Sequence, residues 1–359
     1  MARDAQNDRS GGKRKTSRRK RQKRKIILLV TAVLLVLIMI PVAFSWSKYD
    51  KMGKIVIKDK DVKINQLEPD TKKALEGYES LALFGLDNRS TGNFESGNSD
   101  TIIVVSINKE TGEIKMASVY RDTYLDIDED KFRKANAAYA NGGPKKAIEM
   151  LNKNLDLDIT DYVSVDFSAL VDAVDLLGGV DLDELSQEEA KWLNAYVNDT
   201  VKNIGYEEYV PEVSAGQNVH LNGVQATAYA RIRYVGLDYG RTERQRTIIT
   251  KMFEKAKSCD LMTLNSLMDK LLPQISTSLS PTELLSLAGN AAKYHMGENT
   301  GFPFEKESHD VGSMGDMVIP LDLEENVVKL HQFLYANETY TPSQTVKDLS
   351  ETIHNNTGY

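Results

Sequence analysis

The sequence predicts an α/β (α+β) fold in which a central mixed sheet is flanked by helices and preceded by one N-terminal transmembrane helix. Apolar strand-like runs alternate with amphipathic helix-like segments from residue 79 to residue 338, and no linker-like stretch interrupts them. Residues 26–44 form a run of nineteen residues without a charge. The hydrophobic content of 41% is ordinary for a globular protein.

The uncharged run is long enough to cross a membrane. At about 1.5 Å per residue it spans about 28 Å, close to the hydrocarbon thickness of a bilayer. The interfacial residue types Trp46, Lys48 and Tyr49 follow it. A cleaved signal peptide is the alternative, but its apolar core is usually only about 7–15 residues long. We therefore expect an uncleaved transmembrane helix at residues 26–45.

Residues 1–25 form a strongly basic tail. They contain twelve Lys or Arg and two Asp, a charge of +10, so the remaining residues must carry −17 to give the net charge of −7. The positive-inside rule places this tail in the cytoplasm and the C-terminal domain outside the cell, in a single-pass protein of the cell membrane. The tail is also expected to bind anionic membrane lipid. Binding of nucleic acid is the alternative, and we do not expect it, because 25 such residues encode no DNA-binding fold.

Cysteine and histidine give no signal of a metal site or a disulfide. The single cysteine, Cys259, has no partner within the chain, and the five histidines are scattered without ligand spacing. A zinc site built from His and Cys is therefore not expected.

The outer part of the chain divides into three segments. Residues 46–78 are predicted to form a juxtamembrane segment of strand and helix. Residues 79–338 are predicted to form the catalytic domain, and residues 339–359 a polar, mobile C-terminal tail.

Charged residues stand where the apolar strand-like runs of the domain end or begin. Asp87 and Arg89 follow the first run, Asp100 precedes the second, and Arg121 and Asp122 follow the third. Because strand ends and the loops after them are common places for binding sites, we expect these side chains to lie near one another.

The densest group of charges lies between residues 229 and 245. An extended ARIRY segment would point its two arginines to one side, since side chains alternate along a strand. A helix beginning near residue 240 would put the next three polar residues on one face, and an acidic residue before it would orient the arginines or cap the helix. This group contains Arg231, Arg233, Asp238, Arg241, Arg244 and Gln245.

These residue types are suited to a pyrophosphate and a divalent cation. Arginine binds phosphate oxygens through a planar fork and keeps its charge, whereas a salt-bridge network is the alternative role for such arginines. Asp87 and Asp100 offer the hard oxygen ligands that Mg²⁺ takes together with substrate phosphate and water. We expect Mg²⁺ here, with Mn²⁺ as the substitute, although loop aspartates also serve as caps and turn formers.

Four blocks of the sequence, in order, resemble the LytR-CpsA-Psr family over about residues 80–255. They read SDTIIVVSINKETGEIKMASVYRDT, KANAAYANGGPKKAIEMLN, VSVDFSALVDAVDLLGGVDLD and LNGVQATAYARIRY with DYGRTERQR. The resemblance implies a phosphotransferase that moves a glycopolymer, such as a teichoic acid or a capsular polysaccharide, from a polyprenyl-pyrophosphate carrier to a hydroxyl of peptidoglycan.

The resemblance also assigns roles to individual residues. Asp87 and Asp100 match the metal-coordinating aspartates, and Asp238 matches the acidic residue between the arginines. The residues that match the pyrophosphate-binding set are Arg89, Arg121, Arg231, Arg233 and Arg241, with Arg244 and Gln245 as further candidates. Asn98 departs from the family pattern, because many members carry arginine there.

Two points remain open at this stage. The proton of the attacking hydroxyl would pass to Asp122 or Asp238, and the sequence does not choose between them. The prenyl chain would need an apolar channel, for which 167–177 and 147–155 are candidates, although apolar helix faces are more often core.

Three other functions compete with glycopolymer transfer. A membrane-bound transcriptional regulator would need a DNA-binding fold in the basic tail, and a non-catalytic wall-binding module would need aromatic sugar platforms. Hydrolysis of the polyprenyl-pyrophosphate glycan would use the same site when no acceptor is bound.

Overall fold

The computed structural model describes residues 61–86, 94, 97–280, 283–284, 286–287 and 290–359, which all belong to one compact unit, Lys51–Tyr359. The predicted basic tail and transmembrane helix, as well as Asp87 and Arg89, lie outside the described residues. Within the described part, no helix is long and apolar enough to cross a membrane.

The first half of the domain alternates strands with helices, as the apolar periodicity predicts. Its elements are α1 (Pro69–Glu76), β1 (Tyr78–Leu86), β2 (Ser99–Asn108), β3 (Glu113–Val119), β4 (Tyr124–Asp126), β5 (Phe132–Lys134), α2 (Ala137–Leu155), β6 (Asp161–Asp166), α3 (Phe167–Leu176), β7 (Val180–Leu185) and α4 (Gln187–Ile204). Helix α2 is interrupted at Gly142 and Gly143, and Pro144 begins its second part in the first-turn position that proline favours.

The second half is richer in helix. Its elements are β8 (Gly216–Leu221), α5 (Gly223–Arg231), α6 (Leu237–Ser258), α7 (Leu261–Leu271), β9 (Ile275–Thr277), β10 (His295–Phe302), β11 (Lys306–Asp310), β12 (Asp316–Pro320), α8 (Leu323–Tyr335) and α9 (Gln344–Thr357).

A six-stranded mixed sheet lies at the centre, in the order β10-β3-β2-β1-β6-β9. The β2–β3 hairpin predicted around residues 109–112 is confirmed, and β1 pairs antiparallel with β2 and parallel with β6. The predicted mixed sheet flanked by helices is therefore confirmed.

The two faces of this sheet differ. One face carries Ala82, Phe84 and Ile102 into a continuous apolar core with α2, α8 and α9, and we call it the packed side. The residues between them in sequence, among them Leu83, Gly85 and Thr101, face a cavity below α3, α5 and α6. We call that face the hollow side. A second apolar core lies among α3, α4, α5 and the two-stranded antiparallel sheet of β7 and β8.

The C-terminal segment differs from the predicted mobile tail. Residues 344–357 form α9, whose Val346, Leu349 and Ile353 are buried on the packed side. These three apolar residues recur at spacings of three and four, so one helical face is buried although the rest of the segment is polar.

A single buried carboxylate ties this helix to the rest of the packed side. The Asp156 side chain, fully buried after the end of α2, accepts hydrogen bonds from Asn65 Nδ2 at 2.6 Å and from Tyr340 Oη at 2.6 Å. It also accepts from the main-chain nitrogen and the hydroxyl of Ser343, both at 2.7 Å. Asp156 thus joins the first described residues, α2 and the N-terminus of α9 at one point.

Candidate functional site

Asp100, at the start of β2, accepts hydrogen bonds from three arginines that lie in separate parts of the chain. Arg121 Nη1 donates to Asp100 Oδ1 at 2.7 Å, and Arg233 Nη2 donates to Oδ2 at 3.0 Å. Arg241 Nη2 donates to the main-chain oxygen of Asp100 at 2.8 Å. The expectation that charges from several strand ends and loops lie together is confirmed for these residues.

Two further carboxylates lie behind these arginines. Asp238 Oδ1 is 2.8 Å from Arg241 Nη2 and 3.8 Å from Arg121 Nε. Asp122 Oδ2 is 3.4 Å from Arg121 Nε, and its Oδ1 is 3.2 Å from Lys134 Nζ. Arg121 and Arg241 therefore each contact more than one carboxylate, which fixes the direction of their forks, whereas Arg233 pairs with Asp100.

The ionisation of this cluster follows from burial and pairing. Burial raises the pKa of Asp238, against the opposing influence of Arg241 and Arg121. Burial also lowers the pKa of Arg241, and Asp238 and Asp100 oppose that change. For Arg121, burial lowers the pKa, but the carboxylates of Asp100 and Asp122 outweigh it, so its pKa is raised. Because arginine titrates so far above neutrality, the guanidinium groups stay charged.

The loop between α5 and α6 places Arg233. The ARIRY segment does not form the extended strand that its alternating pattern indicated, because α5 continues through Arg231. Helix α6 begins at Leu237 with Gly236 as its N-cap and no side-chain cap, so Asp238 does not cap it. A Cβ at Gly240 would lie 2.6 Å from the carbonyl oxygen of Val235, so the close contact between loop and helix requires glycine there.

Arg231 takes a different direction from Arg233. Its Nη2 donates to Asp199 Oδ2 at 2.7 Å, and its Nη1 donates to Thr200 Oγ1 at 2.8 Å. The guanidinium carbon lies 4.9 Å from the centroid of the Phe167 ring. Contacts with both a carboxylate and an aromatic ring hold this arginine between a polar and an apolar environment.

Two neighbouring cavities meet at Arg231. The polar cavity has a volume of about 150 Å³ and is lined by Asp100, Thr101, Phe167, Tyr196, Arg231, Arg233, Arg241 and Gln245. The apolar cavity has a volume of about 240 Å³ and lies between the hollow side of the sheet and residues of α3, α5, α6 and α7. The residues that line both are Thr101, Phe167, Arg231 and Gln245.

The two apolar segments proposed as channel walls have different places in the structure. Phe167, Ala169, Leu170 and Ala173 line the apolar cavity. Residues of 147–155 are instead buried in the core of the packed side, as Ala147 and Leu151 show. Residues 147–155 thus belong to the apolar core, which was the alternative to a channel wall.

Two predicted phosphate ligands have other contacts. Arg244 donates to the main-chain oxygens of Ile232 at 2.8 Å and Val235 at 2.6 Å, and its Nη1 is 3.3 Å from Glu189 Oε1. It holds the loop that carries Arg233 and does not line the polar cavity. Gln245 does line both cavities, and its Nε2 donates to Ala230 O at 3.4 Å.

Sequence reasoning missed Lys134, Tyr196 and Asp199. Lys134 adds a cation beside Asp122, and Asp199 pairs with Arg231. Neither residue stands in a charge pattern that would have indicated its partner, because each pair joins segments that only the tertiary fold brings together.

The described residues contain no ready-made cluster of metal-binding side chains. Within those ranges, no group of three or more His, Cys, Asp or Glu side chains lies close enough to hold an ion. Asp100 nevertheless offers hard oxygens at the edge of the polar cavity, and Mg²⁺ is often held by one or two carboxylates with phosphate and water completing its shell. The chemistry of the donor set therefore fits Mg²⁺ once a phosphate ligand is present.

The fold and the two cavities define a class of protein, an α/β protein in which an apolar cavity adjoins a cavity lined by arginines. Such an arrangement is suited to a ligand that has an apolar part next to an anionic part. The chain belongs to the LytR_cpsA_psr family, whose model matches residues 42–308.

Two curated relatives bear the name polyisoprenyl-teichoic acid–peptidoglycan teichoic acid transferase TagU. The protein from Enterococcus faecalis is 31% identical over 213 residues, which are 58% of this chain and 64% of the relative. The protein from Bacillus cereus is 28% identical over 275 residues, which are 71% of this chain and 79% of the relative. The chain thus spans just under two thirds of one of these relatives and about four fifths of the other.

Solved structures share the fold. The crystal structure of Bacillus subtilis TagV has a TM-score of 0.53 at 25% identity, covering 74% of this chain and 98% of TagV. The family member TagT with bound octaprenyl pyrophosphate lipid has a TM-score of 0.50 at 18% identity, covering 83% of this chain and 95% of TagT.

Proposed function

We propose that this protein transfers a glycopolymer from a polyprenyl-pyrophosphate carrier to peptidoglycan during cell wall biogenesis. The observation that carries the proposal is the wall shared by the apolar and the polar cavity, because a lipid-linked pyrophosphate needs both environments within one molecule's reach. The names of the TagU relatives and the octaprenyl pyrophosphate bound to TagT support the same substrate class.

Within this proposal the prenyl chain occupies the apolar cavity and the pyrophosphate the polar one. Arg233 and Arg241 line the polar cavity, and Arg121 contacts the same carboxylate as both, so three charged forks are already oriented before substrate binds. Donors fixed in advance lower the free energy of a transition state that spreads negative charge over several oxygens.

Asp100 and Asp87 are proposed to hold Mg²⁺, or Mn²⁺ in its place. The bound ion would neutralise part of the pyrophosphate charge and stabilise the leaving phosphate. The partly exposed side chain of Arg233 would exchange its contact with Asp100 for one with a phosphate oxygen.

The proposed reaction is an in-line substitution at the phosphorus next to the sugar. A peptidoglycan hydroxyl forms a new P–O bond, the bridging P–O bond of the pyrophosphate breaks, and polyprenyl phosphate leaves. The hydroxyl proton passes to a carboxylate, for which Asp122 and Asp238 remain the two candidates. Both contact Arg121.

The cellular location is part of the proposal. A basic cytoplasmic tail and a transmembrane helix at residues 26–45 would hold the catalytic domain at the outer face of the cell membrane, where a lipid-linked donor arrives. Membrane lipid, the lipid-linked glycan and peptidoglycan are then its partners, and no nucleic acid is required.

The test uses the full chain in lipid nanodiscs, a polyprenyl-pyrophosphate glycan and a peptidoglycan oligosaccharide. We expect Arg233→Ala to lower kcat/KM at least about 100-fold, since it removes one oriented donor to developing charge. Arg233→Lys should recover only part of the rate, because an ammonium group lacks the fork. The product masses separate transfer from hydrolysis.

Arg133→Ala is the matched control. Arg133 is exposed and donates to the main-chain oxygen of Phe132 at 2.8 Å, away from the residues that line the polar cavity. Full activity in Arg233→Ala, or an equal loss in Arg133→Ala, would contradict the proposed site. Sugar phosphate formed without any transfer would show that the protein is a hydrolase.

A further inference from the structure

Three aromatic side chains form a layered group next to the polar cavity. Trp192 and Tyr196 lie one turn apart on α4, so they share one face of that helix. The Tyr234 ring stacks on Trp192 with the ring centroids 4.0 Å apart and an angle of 21° between the planes. Tyr196 lies 6.4 Å from Tyr234. We call these three residues the aromatic platform.

Tyr234 is the outer layer of the platform. Trp192 and Tyr196 are partly buried against the second apolar core, whereas 65% of Tyr234 is exposed. One face of the Tyr234 ring lies on Trp192, so much of the exposed area belongs to the other face. Single exposed aromatic residues are common on proteins, but this ring is held in a fixed orientation by a stacked partner.

The platform is continuous with the polar cavity. Tyr196 lines that cavity, and the guanidinium of Arg231 lies 5.9 Å from the centre of its ring. Tyr234 directly follows Arg233, which reaches Asp100 inside the cavity. Tyr196 and the peptide link between Arg233 and Tyr234 therefore bring the platform to the border of the arginine-lined cavity.

We propose that the aromatic platform binds the first pyranose ring of the donor, the sugar bonded directly to the pyrophosphate. This inference rests on the proposed function, in which the lipid fills the apolar cavity and leaves the sugar on the opposite side of the pyrophosphate. A pyranose ring presents a face of C–H groups, and these carry partial positive charge that suits the negative face of an aromatic ring. Tyr234 is thus a specificity residue for the donor.

The test measures binding of two lipids to the full chain in nanodiscs. One is polyprenyl pyrophosphate, and the other is the same lipid carrying a single N-acetylglucosamine. The chain has two tryptophans, so the background substitution Trp46→Phe leaves Trp192 as the only indole reporter. We expect the Trp192 fluorescence to change with the sugar-bearing lipid and to change far less with the bare lipid.

The variants separate stacking from folding. Tyr234→Ala should weaken binding of the sugar-bearing lipid about fivefold, the size expected for one aromatic contact, and leave binding of the bare lipid unchanged. Tyr234→Phe should keep the preference, because it keeps the ring. Tyr209→Ala is the matched control, since Tyr209 is 88% exposed and lines neither cavity.

Each contrary result has its own meaning. If the parent protein binds neither lipid, the proposed function fails. If both bind and Tyr234→Ala keeps the full preference for the sugar, the platform proposal alone is wrong. If Tyr234→Ala instead raises KM for a peptidoglycan oligosaccharide and leaves the donor preference intact, the platform belongs to the acceptor and the proposal is also wrong.

Discussion

The packed side and the hollow side are built from the same strands, but one is filled by an apolar core and the other borders a cavity. On β1, Phe84 is fully buried against Tyr139, with the ring centroids 5.2 Å apart, while its neighbours Leu83 and Gly85 face the apolar cavity. Side chains alternate between the faces of a strand, so a single run of apolar residues supplies both. Strand periodicity alone therefore does not distinguish a face that is buried in a core from a face that borders a cavity.

The difference lies in what supports the helices on each side. On the packed side, α2, α8 and α9 share one apolar core with the sheet. On the hollow side, α3, α4 and α5 are held by the second core, which lies among the helices themselves. Those helices need not fill the space against the sheet, and an apolar cavity can remain at modest cost to stability.

The largest expected effect comes from truncating the packed side. Phe84→Ala should lower the free energy of unfolding by about 3–5 kcal/mol, since it leaves a void in a closed core. Leu83→Ala, on the same strand but facing the cavity, should cost less than about 2 kcal/mol, because that side chain already lacks neighbours on one side. Urea unfolding measures both, and equal losses would refute the contrast between the sides.

A histidine on the packed side gives a pH-dependent effect of similar size. Burial lowers the pKa of His331 to about 4, and its Nε2 donates to Leu155 O at 3.0 Å. The folded state thus binds fewer protons than the unfolded state, whose histidine titrates near 6.5. The stability that His331 contributes is complete above pH 6.5 and is lost as the pH falls from 6.5 towards 4.

This loss should amount to about 3 kcal/mol at pH 4. Unfolding curves measured across that range should be less steep in pH for His331→Gln than for the parent protein. The control is His354→Gln, which removes an exposed histidine by the same substitution. An identical slope in all three proteins would mean that His331 does not carry the effect.

Filling the cavity should separate binding from stability. Ala173 lines the apolar cavity, so Ala173→Phe should weaken binding of polyprenyl pyrophosphate about 30-fold, or about 2 kcal/mol, and change the unfolding free energy by less than about 1 kcal/mol. Ala82→Phe, on the packed side, should instead destabilise by about 1–3 kcal/mol through overpacking. Lipid affinity unchanged in Ala173→Phe would show that the cavity does not hold the prenyl chain.

The sequence predicted the sheet well and the C-terminal helix poorly. The inner strands β1, β2, β3 and β6 stand out as apolar runs bounded by turns and charges, and the β2–β3 hairpin follows from the turn at 109–112. The edge strands β9 and β10 were not predicted, because one has only three residues and the other is mostly polar. In α9, three buried apolar residues are spread over eight positions among polar ones, a weak signal that becomes a helix face only when Asp156 and the core are present.

For the site, sequence reasoning located Asp100 and Arg121 because they border apolar runs, and it located Arg233 and Arg241 because they belong to the dense group of charges between residues 229 and 245. It did not separate Arg244 from Arg241, since a spacing of three puts both on one helix face. In the structure, Arg241 donates a hydrogen bond to Asp100, whereas Arg244 donates to main-chain oxygens of the loop before α6. Which arginine lines the polar cavity depends on the path of the loop before α6, and local spacing does not encode that path.

The position of Asp156 has a mechanical consequence. Asn65 and Ser343 both donate hydrogen bonds to the Asp156 carboxylate. This one side chain therefore connects two segments that lie near opposite ends of the described chain. We expect tension applied at either end to load the hydrogen bonds of Asp156 on the packed side before it loads the strands that border the cavities. Along the chain, both of these contacts with Asp156 lie outside the stretch that contains the strands bordering the cavities.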